Sequence, residues 1–265
     1  MLKILQARLH QGHRTIRYPD APPPAVPDRL RGHPVLTPGL CREGCRLCAE
    51  ACPTGAVSRG EGLRIDLGRC LFCGSCAEAC PGGALAFAPE HRLAVRRRED
   101  LLIGPGAPEG RLNVPLAGAL ESRLLDLFGH SLKLRQVSAG GCNACEADVN
   151  VLGTVGWDLG RFGIQFVASP RHADGVLVTG PVSQNMRLAL EKTYAAVPTP
   201  KIVIAVGSCA VSGGPYAGHP EVCGGAAEVL PVDLFIPGCP PHPLTILDGL
   251  LRLLGWVVGA GPLRP

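Results

Sequence analysis

Nowhere in these 265 residues does an apolar run approach the ~18 residues that a membrane-spanning helix needs. A secretory leader is also missing, because Lys3, Arg8, His10 and His13 interrupt any apolar stretch near the start. Both absences lead us to expect a cytoplasmic chain with no transmembrane span of its own. Aromatic residues are scarce at 4%, so the core has to be built from Leu, Val, Ala and Ile. Charge is nearly balanced, with 26 basic against 22 acidic side chains and a net of +4. A basic stripe interleaved with aromatics is lacking, which excludes a nucleic-acid partner. The densest basic run, Arg96-Arg97-Arg98, is followed at once by Glu99-Asp100 and reads as a solvated charged turn. There is no Gly-rich nucleotide fingerprint, no nucleophile triad and no second set of ligands suited to nickel. No catalytic residue is therefore expected, and the chain should be inactive alone.

What the sequence does have is glycine (35), proline (26) and thirteen cysteines. In a reducing compartment that many cysteines point to metal ligation rather than disulfides. Eight of them form two runs, Cys41-x3-Cys45-x2-Cys48-x3-Cys52-Pro53 and Cys70-x2-Cys73-x2-Cys76-x3-Cys80-Pro81. This repeat is the bacterial ferredoxin pattern, in which the fourth cysteine of each run ligates the other cluster. A short loop wraps three corners of an iron–sulfur cube, and the distant run supplies the fourth. Cluster 1 is then held by Cys41, Cys45, Cys48 and Cys80, and cluster 2 by Cys70, Cys73, Cys76 and Cys52. The first run has three residues rather than two between Cys41 and Cys45, an insertion that Gly44 can absorb in a bulged turn. If Cys41 does not bind, that site holds three irons instead of four. A zinc module is the competing reading, but structural zinc closes with four ligands and longer gaps between pairs.

The remaining cysteines are dispersed. Short β-branched runs near Lys133–Val137, Ile164–Val167, Gly175–Val178, Lys201–Val206 and Val232–Ile236 each end in turn residues, with helical patterns between several of them. That alternation predicts βαβ units and a parallel sheet, whose ligands sit beyond the carboxyl ends of the strands. Cys142, Cys145, Cys209 and Cys239 all fall in such loops beside Gly or Pro, so four sequence-distant thiols converge on one edge and hold cluster 3. The alternative for any one of them is a buried apolar filler. Cys223 is left without a partner and reads as a free structural thiol. Three [4Fe–4S] clusters are the expected cofactors.

These residues carry a family likeness. Gly141-Cys-Asn-Ala-Cys-Glu146, Ser169-Pro-Arg-His-Ala173, Val178-Thr-Gly-Pro-Val182, Gly207-Ser-Cys-Ala-Val-Ser-Gly-Gly214 and Pro231-Val-Asp-Leu-Phe-Ile-Pro-Gly-Cys-Pro-Pro241 resemble the B subunit of respiratory complex I and the small subunits of membrane-bound [NiFe] hydrogenases. The N-terminal part, with Arg14-Thr-Ile-Arg-Tyr-Pro19 and Pro27-Asp-Arg-Leu-Arg-Gly32, resembles the I subunit of the same complexes. The likeness implies two neighbouring subunits fused into one. It implies a flavodoxin-like fold, a proximal cluster facing a catalytic large subunit, a membrane arm among the partners and a place on the cytoplasmic face of the inner membrane. Complex I relatives normally have adjacent cysteines at the first ligand position. Cys142-Asn-Ala-Cys145 has the hydrogenase-type spacing, favouring a hydrogenase or formate-hydrogenlyase-like complex over a quinone reductase.

The expected fold is α/β: a C-terminal flavodoxin-like, doubly wound parallel sheet preceded by an α+β 2[4Fe–4S] ferredoxin domain. The expected divisions are a lead-in over 1–33 with an amphipathic helix, the ferredoxin domain over 34–100, a connection and helix over 101–132, and the cluster 3 domain over 133–265. Near cluster 3, Glu146 serves either as a proton relay or as charge complement to a helix N-terminus. Arg171 either tunes the cluster by donating to its sulfurs or pairs with Asp174. His172 either titrates with cluster reduction or is structural.

Overall fold

A computed structural model describes residues 2–12, 14–60, 62–105, 113–128, 131–258 and 261–262. The first element is α1 (Leu2–Gln11), whose residues all lie exposed. The ferredoxin-like module follows the predicted repeat. β1 (Pro34–Leu36) pairs antiparallel with β4 (Leu85–Phe87), while β2 (Val57–Arg59), β3 (Leu63–Asp66) and β5 (Leu102–Ile103) form a second antiparallel sheet. Two single-turn helices, α2 (Leu47–Glu50) and α3 (Ser75–Glu78), occupy equivalent places in the repeat. Each carries the third cysteine of its run, and both are followed by Ala-Cys-Pro. Pro53 and Pro81 follow each last cysteine and deny the helix a further turn.

The C-terminal half is a five-stranded, wholly parallel sheet: β6 (Leu132–Ser138), β7 (Ile164–Phe166), β8 (Gly175–Thr179), β9 (Ile202–Val206) and β10 (Leu234–Ile236). The strands begin within about two residues of the positions expected from β-branched runs. β8 and β9 are buried at every residue, which explains why they read as continuous apolar runs rather than alternating ones. Their spatial order is β7-β6-β8-β9-β10. The chain steps outward from β6 to β7 and then crosses back to β8, so the order reverses between β6 and β8, the flavodoxin-like switch point. Covering helices are α4 (Ser122–Phe128), α5 (Ala144–Val151), α6 (Gln184–Ala196), α7 (Ser208–Ser212) and α8 (Pro243–Leu253). Between β7 and β8 only a short 3-10 turn, Pro170–His172, makes the crossing. Among the described residues no helix is long and apolar enough to cross a membrane.

The two halves are joined over a broad front. Val95 pairs with Phe235 through two backbone bonds of 3.0 and 2.9 Å, adding an antiparallel rung to the β10 edge and covering backbone groups that an edge strand would leave open. The basic run at 96–98 is largely structural rather than the solvated turn expected from its charge pattern. Arg96 donates to the Asp233 carbonyl (2.7 Å) and the Ala119 carbonyl (3.2 Å), and Arg98 donates to Asp66 (2.7 Å). The lead-in crosses to the far half as well. Ile16 donates to the Gly156 carbonyl (2.9 Å), Arg161 donates to the Ile16 and Tyr18 carbonyls, and the Tyr18 hydroxyl reaches Asp248 at 2.5 Å. Asp248 also accepts from Arg252 Nε at 2.7 Å, and both are at most 1% exposed on α8.

Candidate iron–sulfur centres

Twelve of the thirteen cysteines fall into three neighbouring groups of four. Cys48 feels the charges of Cys80, Cys41 and Cys45. Cys76 feels those of Cys52 and Cys73, and Cys70 those of Cys76, Cys52 and Cys73. Cys145 feels Cys209, Cys239 and Cys142. Each quartet of the first two thus mixes three thiols of one run with the last thiol of the other. Cys41, Cys45, Cys48 and Cys80 together line one cavity with Leu63, Pro81 and Ala84. Gly44 takes a left-handed φ of +71°, which turns the chain through the extra residue between Cys41 and Cys45.

Ionisation of the thiols is opposed by burial and by one another. Burial, then the neighbouring thiols, push Cys76 up to about 11. Burial chiefly, with Cys52, Cys73 and Cys76 adding, pushes Cys70 up to about 12 against an opposing Phe72 N–H. In the third quartet burial and then Cys209, Glu146, Cys239 and Cys142 push Cys145 up to about 12. Burial, then Cys239, Cys142 and Glu146, push Cys209 up to about 11. Cys52 and Cys80 go the other way. Burial raises each, but surrounding backbone N–H groups outweigh it, from Thr54, Val57 and Ala56 for Cys52 and from Ala84, Gly82, Leu85 and Gly83 for Cys80. These two equivalent nests stabilise thiolate on the crossing ligand of each run.

In the C-terminal half the thiols come from the ends of three strands. Cys142 and Cys145 follow β6, Cys209 follows β9 and Cys239 follows β10. Gly207 is at φ +92°, and a Cβ there would stand 2.5 Å from Cys145 Sγ, so the backbone itself walls this quartet. Cys142 and Cys239 are exposed, leaving one face of the quartet open to solvent. It adjoins the second quartet through α7, where Ser208, the residue before Cys209, donates to the Cys70 carbonyl at 2.7 Å. Among the described residues no three His, Cys, Asp or Glu side chains are grouped to hold a single metal ion. Four thiols brought together, the buried ones hard to ionise alone, suit a cationic iron–sulfur centre that would take them as thiolates.

Of the neighbouring residues singled out by sequence, Glu146 is buried in the first turn of α5 at the switch point. It accepts from Ser138 (2.5 Å) and Thr179 (2.7 Å), hydroxyls at the ends of β6 and β8. Arg171 and His172 lie on the short turn after β7, Arg171 and His172 both outside the buried core. Asp174 accepts from the Lys133 backbone N–H at 2.7 Å. Cys223 is half-buried beside the main core and donates its backbone N–H to Val182 (2.8 Å). Two serines on α7 escape sequence reasoning: Ser208 donates to the Cys70 carbonyl (2.7 Å) and Ser212 to the Gly68 carbonyl (2.8 Å). Their only sequence signal is proximity to Cys209.

A parallel sheet carrying a thiol quartet at its carboxyl edge, joined to a duplicated ferredoxin repeat, defines a two-domain iron–sulfur protein. Residues 40–84 match a 4Fe-4S dicluster domain, and residues 142–253 match the family described as NADH ubiquinone oxidoreductase, 20 Kd subunit. A probable membrane-bound hydrogenase subunit mbhJ of Pyrococcus furiosus is 40% identical over 51% of this chain and 83% of its own length. The chain belongs to that NADH ubiquinone oxidoreductase 20 Kd subunit family. Formate hydrogenlyase subunit 7 of Escherichia coli is 38% identical over 58% of this chain and 62% of its own. The B subunit of an NADH-quinone oxidoreductase from Clostridium beijerinckii is 45% identical over 43% of this chain and 68% of its own.

Proposed function

We propose that the chain is the iron–sulfur wire of a hydrogenase- or complex I-like oxidoreductase, joining an electron donor to a catalytic large subunit. When bound, [4Fe–4S] clusters supply one-electron redox chemistry at potentials set by hydrogen bonds to sulfur and by solvent exposure. The chain's own residues hold and insulate them. Cys41, Cys45, Cys48 and Cys80 form the distal site, Cys70, Cys73, Cys76 and Cys52 the middle one, and Cys142, Cys145, Cys209 and Cys239 the proximal one. Backbone N–H groups point at Cys52 and Cys80 sulfurs, and Ala56 N–H lies 3.2 Å from Cys52 Sγ. The exposed Cys142 presents the proximal site to the large subunit.

The observation that carries this reading is the contact between the second and third quartets, Ser208 beside Cys209 donating to the Cys70 carbonyl at 2.7 Å. The Cys142-Asn-Ala-Cys145 spacing favours a [NiFe] hydrogenase or formate-hydrogenlyase-like assembly, with a membrane arm among its other subunits, over a quinone-reducing one. Glu146, buried behind Cys145 and held by Ser138 and Thr179, suits a proton-relay role, Arg171 suits donation to cluster sulfurs, and His172 suits titration with cluster reduction. Iron and acid-labile sulfide analysis of anaerobically purified protein tests the wire. About twelve irons per chain is expected, falling to about eleven in Cys80→Ser as cluster 1 loses one corner iron, with its EPR signal changed accordingly. A parent with about eight irons removes cluster 3, and zinc without iron removes the function. Nickel in the co-purifying large subunit is expected, and its absence favours the quinone branch.

A further inference from the structure

Resting on the three-cluster reading, we infer that the Ser208 hydroxyl is the buried bridge through which electrons pass between the middle and proximal centres. Ser208 is 1% exposed and immediately precedes the ligand Cys209. Its Oγ lies 2.7 Å from the carbonyl of Cys70, a middle-site ligand. The same Oγ lies 3.0 Å from the carbonyl of Gly238, the residue before Cys239, while the Ser208 backbone N–H donates to that carbonyl at 2.7 Å. One side chain on the Cys209 loop therefore touches the backbone of two other ligand loops, one from each centre. From Cys70 to Cys209 the path is covalent except for a single short hydrogen bond. That bond is shielded from water, where a hydrogen bond is electrostatically strongest. The rival route runs through space from Cys73 to Cys239, both of them exposed. In each event one electron leaves the centre held by Cys70 and is gained by the centre held by Cys209, or the reverse. The hydroxyl proton stays on Oγ, and no bond breaks.

Ser212 separates bridging from clamping. It bolts the same helix to the same loop, through the Gly68 carbonyl at 2.8 Å, but ends two residues short of a ligand. The experiment uses the full chain with its clusters in four forms: parent, Ser208→Ala, Ser208→Thr and Ser212→Ala. Iron content and the potential of each centre are measured first, then the rate of inter-cluster transfer after flash photoreduction. The bridge predicts a severalfold slower transfer in Ser208→Ala at parental iron and potentials. Ser208→Thr, which keeps the hydroxyl, and Ser212→Ala retain the parental rate. A parental rate in Ser208→Ala overturns the proposal in favour of the exposed route. Equal slowing in Ser208→Ala and Ser212→Ala overturns it in favour of a clamp. Loss of iron in Ser208→Ala alone overturns it by assigning the serine to cluster assembly. About eight irons or fewer in the parent defeats the underlying three-cluster reading, and is seen before any rate is measured.

Discussion

In the N-terminal module eight cysteines come from two compact runs, 41–52 and 70–80, set among strands of two to four residues. In the C-terminal half four cysteines are gathered from residues 142 to 239 by a sheet whose β8 and β9 are buried at every position. The first arrangement puts ligand geometry in the local chain and leaves little regular structure to hold it. The second puts it in a framework with its own apolar core, Leu132, Leu134, Ile204 and Leu247 among its fully buried members. Short strands and single-turn helices are marginal without tertiary support, whereas a parallel sheet buried on both faces has that support built in. Cluster binding should therefore contribute folding energy mainly to the module, as structural metals do for small domains.

The largest expected effect follows directly. Removing iron with a chelator under reducing conditions should abolish amide protection across β1 to β4 while β8 and β9 stay protected in hydrogen exchange. Simultaneous loss in both halves would break the comparison. It would mean that the shared core, in which Ile65 and Leu101 cluster with Val178 and Val203, makes the protein one cooperative unit. A smaller effect sharpens the boundary between the halves. Asp248→Ala takes from the Arg252 guanidinium its buried carboxylate and should cost roughly 3–5 kcal/mol in thermal melting. Tyr18→Phe removes one hydrogen bond to the same carboxylate and should cost about 1.5–3 kcal/mol. Both belong to the lead-in's seat on α8, so neither should alter the EPR signals of the module. A change there would show that the strap also sets cluster geometry.

The division between what sequence discloses and what it hides is physical. The ferredoxin repeat and the strand ends are legible because ligand spacing and β-branched runs are local signals. The Cys142–Cys145 pair is legible for the same reason. Contacts that join the halves are not. Tyr18 and Asp248 are 230 positions apart, Ser208 and Cys70 138 apart, and Arg96 and Asp233 137 apart. Nothing near Arg96 in the chain signals that it donates to a carbonyl at the far sheet's edge, so its charge pattern reads as solvated. Glu146 stands out by adjacency to Cys145, but its hydroxyl partners sit on two different strands, and only the sheet order brings them together.

The smallest predicted effect concerns the joint between lead-in and module, where Glu90 accepts from the Arg92 backbone N–H (2.9 Å) and guanidinium Nε (2.8 Å). Its own carbonyl accepts from the His33 N–H at 3.1 Å. Burial acts to raise the Glu90 carboxyl, but the Arg92 hydrogen bonds and charge, with His91 adding, outweigh it and hold the group down at about 2. A carboxylate depressed by folding contributes stability above its unfolded pKa, and that contribution is lost as pH falls through the folded value. The window here runs from about 4.5 down to about 2. Both partners are 30% exposed, so solvent screening reduces the gain to on the order of 2 kcal/mol. Glu90→Gln should melt lower than the parent at pH 7, and the two curves should converge as pH is lowered through that window. A gap that persists unchanged at pH 3 would mean that the pair acts by packing alone, leaving the lead-in held to the module by backbone hydrogen bonds such as His33 N–H to the Glu90 carbonyl.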